Sequence, residues 1–600
     1  MHIAVVRGFG ASQSREHLIN SRAMLTSIRT ETAEFLVDII SANFSLASLS
    51  KSSLEAALEA PKKLEHGHLA LPVFPFAKEL KKAPPMIAQE LARILNESKA
   101  PLKINAIDAI TPVGGFLNFK FKDSYLQKNL IESTNLAIEK IGSSKKGAGK
   151  NLVIDYSSPN VAKPMHIGHL RATVIGQAIR NIAQTQGYNV VGLNHLGDWG
   201  VQFGKLAWAY QAWGSEYDFK AKPFESLFAI YVRFHDEAEK NPELEAKGSE
   251  TFKRLENGDA EITAIWKEFV EISLKDYGRI WKQMGVQHDL VRGESFYNDR
   301  LKAVEEMLEK KGLLETSDGA QVVRLGDDMP PCLIRKADGA SLYATRDLAS
   351  AIYRHDELKA DMNLYVVGVD QTLHFKQVFK VLELMGFAWA KNCHHIAFGM
   401  YRFKEGKMST RKGRTVFLED VLKQAVELTT KIIEEKNPAL ENKAKIAEQV
   451  GVGAVIFNDL AVDRVRDVEF DWEKALSFDG DSGPYVQYTH VRCLSLIRKY
   501  GKPVADEFKV DLGSDEEREL VRVLLNYQDV LSASFETFRP NILAQYLLEL
   551  CAAFSRFYNK HRILGEASEI ESSRMTLVER SRRVLAAGLK TLGIQAPEAM

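Results

Sequence analysis

The chain has 600 residues, too many for a single hydrophobic core, and this length predicts roughly three to five domains. Hydrophobic residues make up 45% and charged residues 26%, which excludes a disordered or fibrous chain. Lys+Arg and Asp+Glu both number 79, for a formal net charge of +0. That balance excludes a protein that coats nucleic acid indiscriminately but leaves room for a local basic surface.

The four cysteines, Cys332, Cys393, Cys493 and Cys551, are scattered and form no Cys-x-x-Cys. No tightly bound metal is therefore expected, and this cysteine usage fits a cytoplasmic protein. No run approaches the roughly 20 apolar residues that span a bilayer.

The N-terminus carries Arg7, Arg15, Arg22 and Arg29, with Glu16 the single acid before Glu31, and residues 1–23 stand apart as an extension. This is faintly like an organelle transit peptide, but an untargeted extension is the favoured reading. Residues 24–122 predict an α+β module. Thr32–Ile40 and Pro85–Leu95 have helical spacing, and the segment from Gly114 to Phe121 alternates like a strand. Residues 141–150, IGSSKKGAGK, read as a flexible linker.

Leu152–Tyr156 predicts a buried strand, and Pro164 fits the first turn of the helix that follows. Ile167, Leu170, Val174, Ala178 and Ile182 continue that helix, Gly187 stops it, and Asn189–Leu193 is a second strand. Strand, helix, strand is the βαβ unit of a nucleotide-binding sheet. Residues 205–285 look like a helical insertion. Tyr343–Leu348 opens another helix, Asn363–Gly368 is another buried strand, and the chain is almost wholly helical from about residue 420.

Two short segments carry the chemistry. SSPNVAKPMHIGHLR (Ser157–Arg171) puts His166 and His169 on one face at a helix start, where backbone N–H groups and the helix dipole receive phosphate. Gly168 lets a ligand approach the backbone closely. By itself, His-x-x-His would more often be two surface histidines. KMSTRKGR (Lys407–Arg414) reads as a mobile cationic loop suited to charge developing on phosphates. The plainer reading of such a charge run is a solvated loop.

These segments resemble the HIGH and KMSKS signatures of class I aminoacyl-tRNA synthetases. With HLGDWGVQFG, YATRDL and SGPYVQYTHVR they resemble arginyl-tRNA synthetases in particular, from about residue 24 to Met600. The resemblance implies an α/β fold: a Rossmann-type catalytic domain over 151–475, an α+β N-terminal domain that contacts tRNA, and an all-helical anticodon-binding domain over 476–600. It implies a ligase that activates L-arginine with Mg²⁺ and ATP and transfers it to tRNA(Arg), only when tRNA is bound. A monomer is expected.

The resemblance also implies site residues. His166, His169, Lys163, Lys407 and Lys412 would be catalytic. Pro164, Gly168, His195, Gly197, Asp198, Met408 and Ser409 would meet ATP. Asp155, Ser157, Asn160, Tyr343, Asp347 and Gln371 would hold arginine, whose planar guanidinium suits a carboxylate such as Asp347. Tyr485, Gln487, Tyr488, Arg492, Tyr558, Asn559 and Arg562 would meet tRNA, with cations for phosphates and rings for splayed bases.

Thr410 stands where KMSKS has its second lysine, and a lysine just before HIGH commonly takes over in this family, which makes Lys163 a candidate substitute alongside Lys412. Ala599 replaces the arginine of the family's terminal PERM. Three alternatives stay open: a class I synthetase for another amino acid, a non-catalytic tRNA-binding paralogue, and a small-molecule adenylating ligase.

Overall fold

The computed structural model describes residues 26–44, 46, 49–59, 61, 64–97, 106–336, 343–403 and 416–600. Residues 1–23 and the candidates Lys407, Met408, Ser409 and Lys412 lie outside these. The chain forms two units. One holds the described residues up to Ser144 together with Val486–Gly588, and the other holds Lys145–Tyr485 and Leu589–Met600.

In the first unit, β1 (Leu69–Pro72), β2 (Ile107–Val113) and β3 (Phe116–Phe121) form an antiparallel sheet in the order β1-β3-β2. The β2–β3 turn uses Gly114 at φ 57°. Helix Pro84–Glu97 buries Ile87, Leu91 and Leu95, a spacing of four that makes one apolar stripe. Helix Asp123–Thr134 meets helix Asp515–Leu525 through the Arg518–Asp123 ion pair at 2.9 Å. Helices Tyr527–Glu536, Pro540–Lys560 and most of Gly483–Tyr500 and Ser568–Thr591 complete the unit.

The second unit is built on a parallel sheet of β4 (Asn151–Asp155), β5 (Asn189–Asn194), β6 (Leu290–Val291), β10 (Met362–Tyr365) and β11 (Cys393–His395). Between β6 and β10 the chain makes a small antiparallel sheet of β7 (Leu314–Ser317), β8 (Ala320–Val323) and β9 (Cys332–Arg335). The parallel order is β11-β10-β4-β5-β6, with Asp155 level with both Leu193 and Tyr365. The order reverses between β4 and β10, and ligands bind beyond the carboxyl ends of strands at such a switch point. β12 (Tyr401–Phe403) pairs with β13 (Val468–Phe470), the one strand in the otherwise helical stretch after residue 420.

Four helices between Val201 and Gln283 separate β5 from β6. The last residues of the chain also belong to this unit. Ala599 and Met600 pack on Ile433, Ile446, Ala447 and Val450, and Asn181 Nδ2 donates to the Thr591 carbonyl at 3.1 Å.

The division between the two units falls within residues 141–150; on one side of it Ile141 is buried, and on the other Gly147 N donates to the Gln186 carbonyl at 2.8 Å. A Cβ on Gly147 would sit 2.1 Å from the Tyr188 ring, so that glycine serves close packing. Pro164 is not in the first helical turn. The helix runs from Ile167 to Thr185 with His166 as its cap, and Pro164 lies two residues earlier in extended chain. There its missing N–H interrupts no helical hydrogen bond, and the next residue, Met165, accepts from Leu418 N at 2.9 Å.

Candidate active site

The candidate residues lie on loops and helix starts beyond the carboxyl edge of the parallel sheet. After β4, the turn to the first helix holds Ser157 and Ala162 at φ 56° and 65°, a strain that non-glycine residues bear only where surroundings force it. The forcing contacts are buried ones: Ala162 N donates to Ser273 Oγ at 3.0 Å, and Trp281 Nε1 donates to Ser157 Oγ at 2.8 Å. Ser157 is 1% exposed, and its Oγ also meets Thr173 at 2.7 Å. It was expected to touch substrate, but its left-handed backbone turns the hydroxyl into the core, where it sets the shape of the turn.

His166 caps the following helix. Its Nδ1 accepts from Gly168 N at 3.1 Å, and His169 Nδ1 accepts from His166 N at 3.0 Å. A nitrogen that accepts carries no proton, so both rings are the Nε2–H tautomer. The rings stand 4.0 Å apart, each with an Nε2–H donor beside a helix N-terminus. Burial lowers both imidazole pKa values, and the neighbouring His166 helps bring His169 down to about 4. Both are neutral at pH 7. The Lys163 ammonium lies 5.1 Å above the Tyr231 ring, on helix Pro223–Lys240, and the Lys163 carbonyl accepts from Tyr277 Oη at 2.8 Å.

Beyond β5, His195 N donates to Ser158 Oγ at 3.0 Å, and the His195 ring packs on Tyr297. Gly197 pairs with Asn160, and a Cβ there would meet Asn160 Oδ1 at 2.0 Å. Glycine at 197 thus leaves room for the exposed Asn160 side chain. The Asp198 carboxylate takes Ser295 N at 2.8 Å and Ser295 Oγ at 2.7 Å, a link between the β5 and β6 loops.

The acidic side of the site comes from four elements. At the end of β4, Asp155 Oδ2 pairs with Arg354 at 2.7 Å, and Asp155 Oδ1 accepts from Ser158 at 3.0 Å. Helix Tyr343–Asp356 carries Tyr343, Asp347 and Arg354 on one face, at steps of four and seven. Asp347 Oδ2 accepts from His374 Nε2 at 2.5 Å. Tyr343 is 68% exposed, and Gln371 caps the helix Thr372–Leu384 that bears His374. Beyond β6, burial pushes Glu294 up to about 7; Asp198 and Asp347 add to the rise and Arg346, at 3.8 Å, opposes it. A carboxyl held this high gains from a cation placed beside it.

Glu294, Arg346 and Arg354 escaped the sequence reading. β6 has two residues, too few for a strand signal, so nothing marked Glu294 as lying beyond a sheet edge. Arg354 had a signal, since it stands seven residues after Asp347 in a helical pattern.

The structure divides the tRNA candidates. Arg492 lies 4.8 Å from the Tyr488 ring and 5.0 Å from the Tyr558 ring, with Asn559 and Arg562 exposed. Gln487 is fully buried, which corrects its place among surface contacts. Tyr485, Tyr488 and Arg492 recur at three and four residues on one helix face, and Gln487 points away from it.

By sequence, residues 132–472 match the family model for the class I (R) tRNA synthetase catalytic domain, 34–121 that for the arginyl tRNA synthetase N-terminal domain, and 486–600 that for the DALR anticodon binding domain. An arginine–tRNA ligase of Clostridium perfringens is 46% identical over 556 residues, 92% of this chain and 97% of that protein. One from Clostridium botulinum is 46% identical over 549 residues, 91% of this chain and 96% of its own length. The solved Thermus thermophilus arginyl-tRNA synthetase aligns with a TM-score of 0.78 at 27% identity, covering 90% of this chain and 96% of that one. A histidine-capped helix facing an acidic sheet edge, inside a chain matched along most of its length by these relatives, places the protein in the arginyl-tRNA synthetase family.

Proposed function

We propose that the chain is an arginine–tRNA ligase that joins L-arginine to ATP as arginyl-adenylate and passes the arginyl group to the 3′-terminal adenosine of tRNA(Arg). The observation that carries this is the acidic edge, with Asp155, Glu294 and Asp347 gathered on the side of the sheet that also presents the two histidines. A cationic amino acid whose carboxylate must reach ATP fits that layout.

In the first step a carboxylate oxygen of arginine attacks the α-phosphorus, and the bond to pyrophosphate breaks with its electrons leaving on pyrophosphate. His166 and His169 offer neutral Nε2–H donors to the phosphate oxygens as charge shifts, and Lys163 adds a positive charge. Asp347 holds the guanidinium with Tyr343 and Gln371 beside it, and Asp155 and Asn160 sit nearer the turn, where the α-amino group would lie. His195, Gly197 and Asp198 shape the nucleotide side.

Lys407 and Lys412, which lie outside the described residues, would add further positive charge for the phosphates. Mg²⁺ would arrive on the ATP phosphates; among the described residues no group of three His, Cys, Asp or Glu could hold a metal ion. The remaining tRNA-facing candidates, Tyr485, Tyr488, Arg492, Tyr558, Asn559 and Arg562, offer rings for bases and cations for phosphates. No described helix is long and apolar enough to cross a membrane, and the four free cysteines are buried. A cytoplasmic monomer completes the proposal.

Pyrophosphate exchange with each amino acid, with and without tRNA, tests it. Exchange only with arginine and only with tRNA is the expected result, and exchange with another amino acid overturns it. Lys163→Ala should cripple exchange, and adding Thr410→Lys to it should restore part of the loss. Loss with Lys412→Ala and no rescue of Lys163→Ala would move the role to Lys412.

The neutral histidines also set the pH response. His169 Nδ1 accepts from His166 N only while it is unprotonated, so the contribution of His169 to exchange, measured at saturating arginine, should stay flat between about pH 6 and 8. The acid limb due to His169 should fall near its lowered pKa of about 4 rather than near that of a free imidazole. A limb near 6.5 that disappears with His169→Gln would contradict this.

A further inference from the structure

His166 and His169 can stabilise a moving charge only if their helix keeps its place. We propose that Arg171 is the positioning residue that holds it, by fixing this helix to the backbone just before β12 and β13. The inference rests on the assignment of the two histidines to the ATP phosphates.

Arg171 stands two residues beyond His169 and is 1% exposed. Its Nε donates to Asp459 Oδ2 at 3.1 Å, and Asp459 is itself fully buried in helix Lys443–Leu460. One terminal nitrogen donates to the Gly399 carbonyl at 2.9 Å and to the Arg466 carbonyl at 2.7 Å. Gly399 leads into β12 and Arg466 leads into β13, so one planar cation joins three separate segments to the histidine helix.

The two acceptor carbonyls are close because residue 399 has no side chain. A Cβ there would lie 2.6 Å from the Arg466 carbonyl oxygen. Ile167 N donates to the Val416 carbonyl at 3.0 Å, and His166 pairs with Phe417. The main chain therefore secures Val416 to this helix, and Arg171 supplies a polar tie at Gly399.

Arginine suits the task and lysine does not. The guanidinium spreads its donors in fixed directions, whereas an ammonium offers a single point. A buried ion pair adds little stability over apolar packing but can fix a register. Here the register is that of the histidine helix against β12.

The test uses the full-length enzyme with tRNA and compares Arg171→Lys, Gly399→Ala and His169→Ala in arginine-dependent pyrophosphate exchange, with activity expressed per folded molecule from near-UV circular dichroism. Gly399→Ala keeps the ion pair but pushes the two carbonyls apart. Both positioning variants should lose about tenfold in kcat, the usual scale for misplacing a reacting group, with the arginine KM within about twofold of the parent. A part that is only structural would lower the melting temperature and leave kcat per folded molecule unchanged, which overturns the proposal. Should Arg171→Lys fail to fold, Gly399→Ala decides alone by the same split. Normal kcat in His169→Ala overturns the histidine assignment and the inference with it; crippled His169→Ala beside normal positioning variants overturns the inference alone.

Discussion

His169→Ala is expected to lower kcat for arginine-dependent pyrophosphate exchange by about 10²-fold, the usual cost of one donor aimed at developing transition-state charge. The tautomer sharpens the expectation. His169 Nδ1 is occupied by His166 N, so the donor facing ligand is Nε2–H. A glutamine amide can place N–H near the Nε2 position, and an asparagine amide reaches only the Nδ1 position. His169→Gln should therefore retain more activity than His169→Asn, although asparagine places its amide oxygen where Nδ1 accepts from His166 N and so keeps that contact. The arginine KM should change little in all three variants, because the acidic groups stand on other elements. Steady-state exchange with each substrate varied decides it. Equal activity for the glutamine and asparagine variants would mean that the residue acts through the cap.

The elements that dominate the fold were legible because each has a strong local signal. β4, its helix and β5 are apolar runs bounded by Pro and Gly, and the helix keeps its 3.6-residue period from Ile167 to Ile182. The wider site was less legible, for geometric reasons. A motif gives the position of Ser157 along the chain, but the φ of 56° that buries its hydroxyl comes from the packing of Trp281 and Thr173. Gln487 lies one residue from an exposed tyrosine, and 100° of helix rotation takes it into the interior. At 147 glycine looked like freedom, and the fold uses it to let the Tyr188 ring approach. Arg171 was visible as the last residue of the first motif, yet its partners at 399, 459 and 466 lie more than two hundred residues away.

The largest effect on substrate selection should come from Asp347→Asn. The carboxylate stands on the helix face that also carries Tyr343, with its side chain a fifth exposed. His374 holds Oδ2, and among the described residues Oδ1 has no hydrogen-bond partner, so one oxygen is fixed and the other is available to a guanidinium. Asparagine keeps the size and loses the charge. His374 could still donate to the amide oxygen, which would aim the NH₂ group at the guanidinium and set donor against donor. Breaking a fully buried charge pair costs about 3–5 kcal/mol, and partial exposure argues for the lower end of that range. At about 3 kcal/mol, arginine kcat/KM should fall by roughly 10²-fold. The ATP KM should stay close to the parent value, since the groups proposed to meet ATP, His166, His169 and Lys163, stand on other elements than Asp347. Varying each substrate in turn at saturation of the other separates the two effects. A loss shared equally by arginine and ATP would make Asp347 a residue that braces helix Tyr343–Asp356 against His374, with the guanidinium held by another carboxylate, for which the half-buried Glu294 is a candidate.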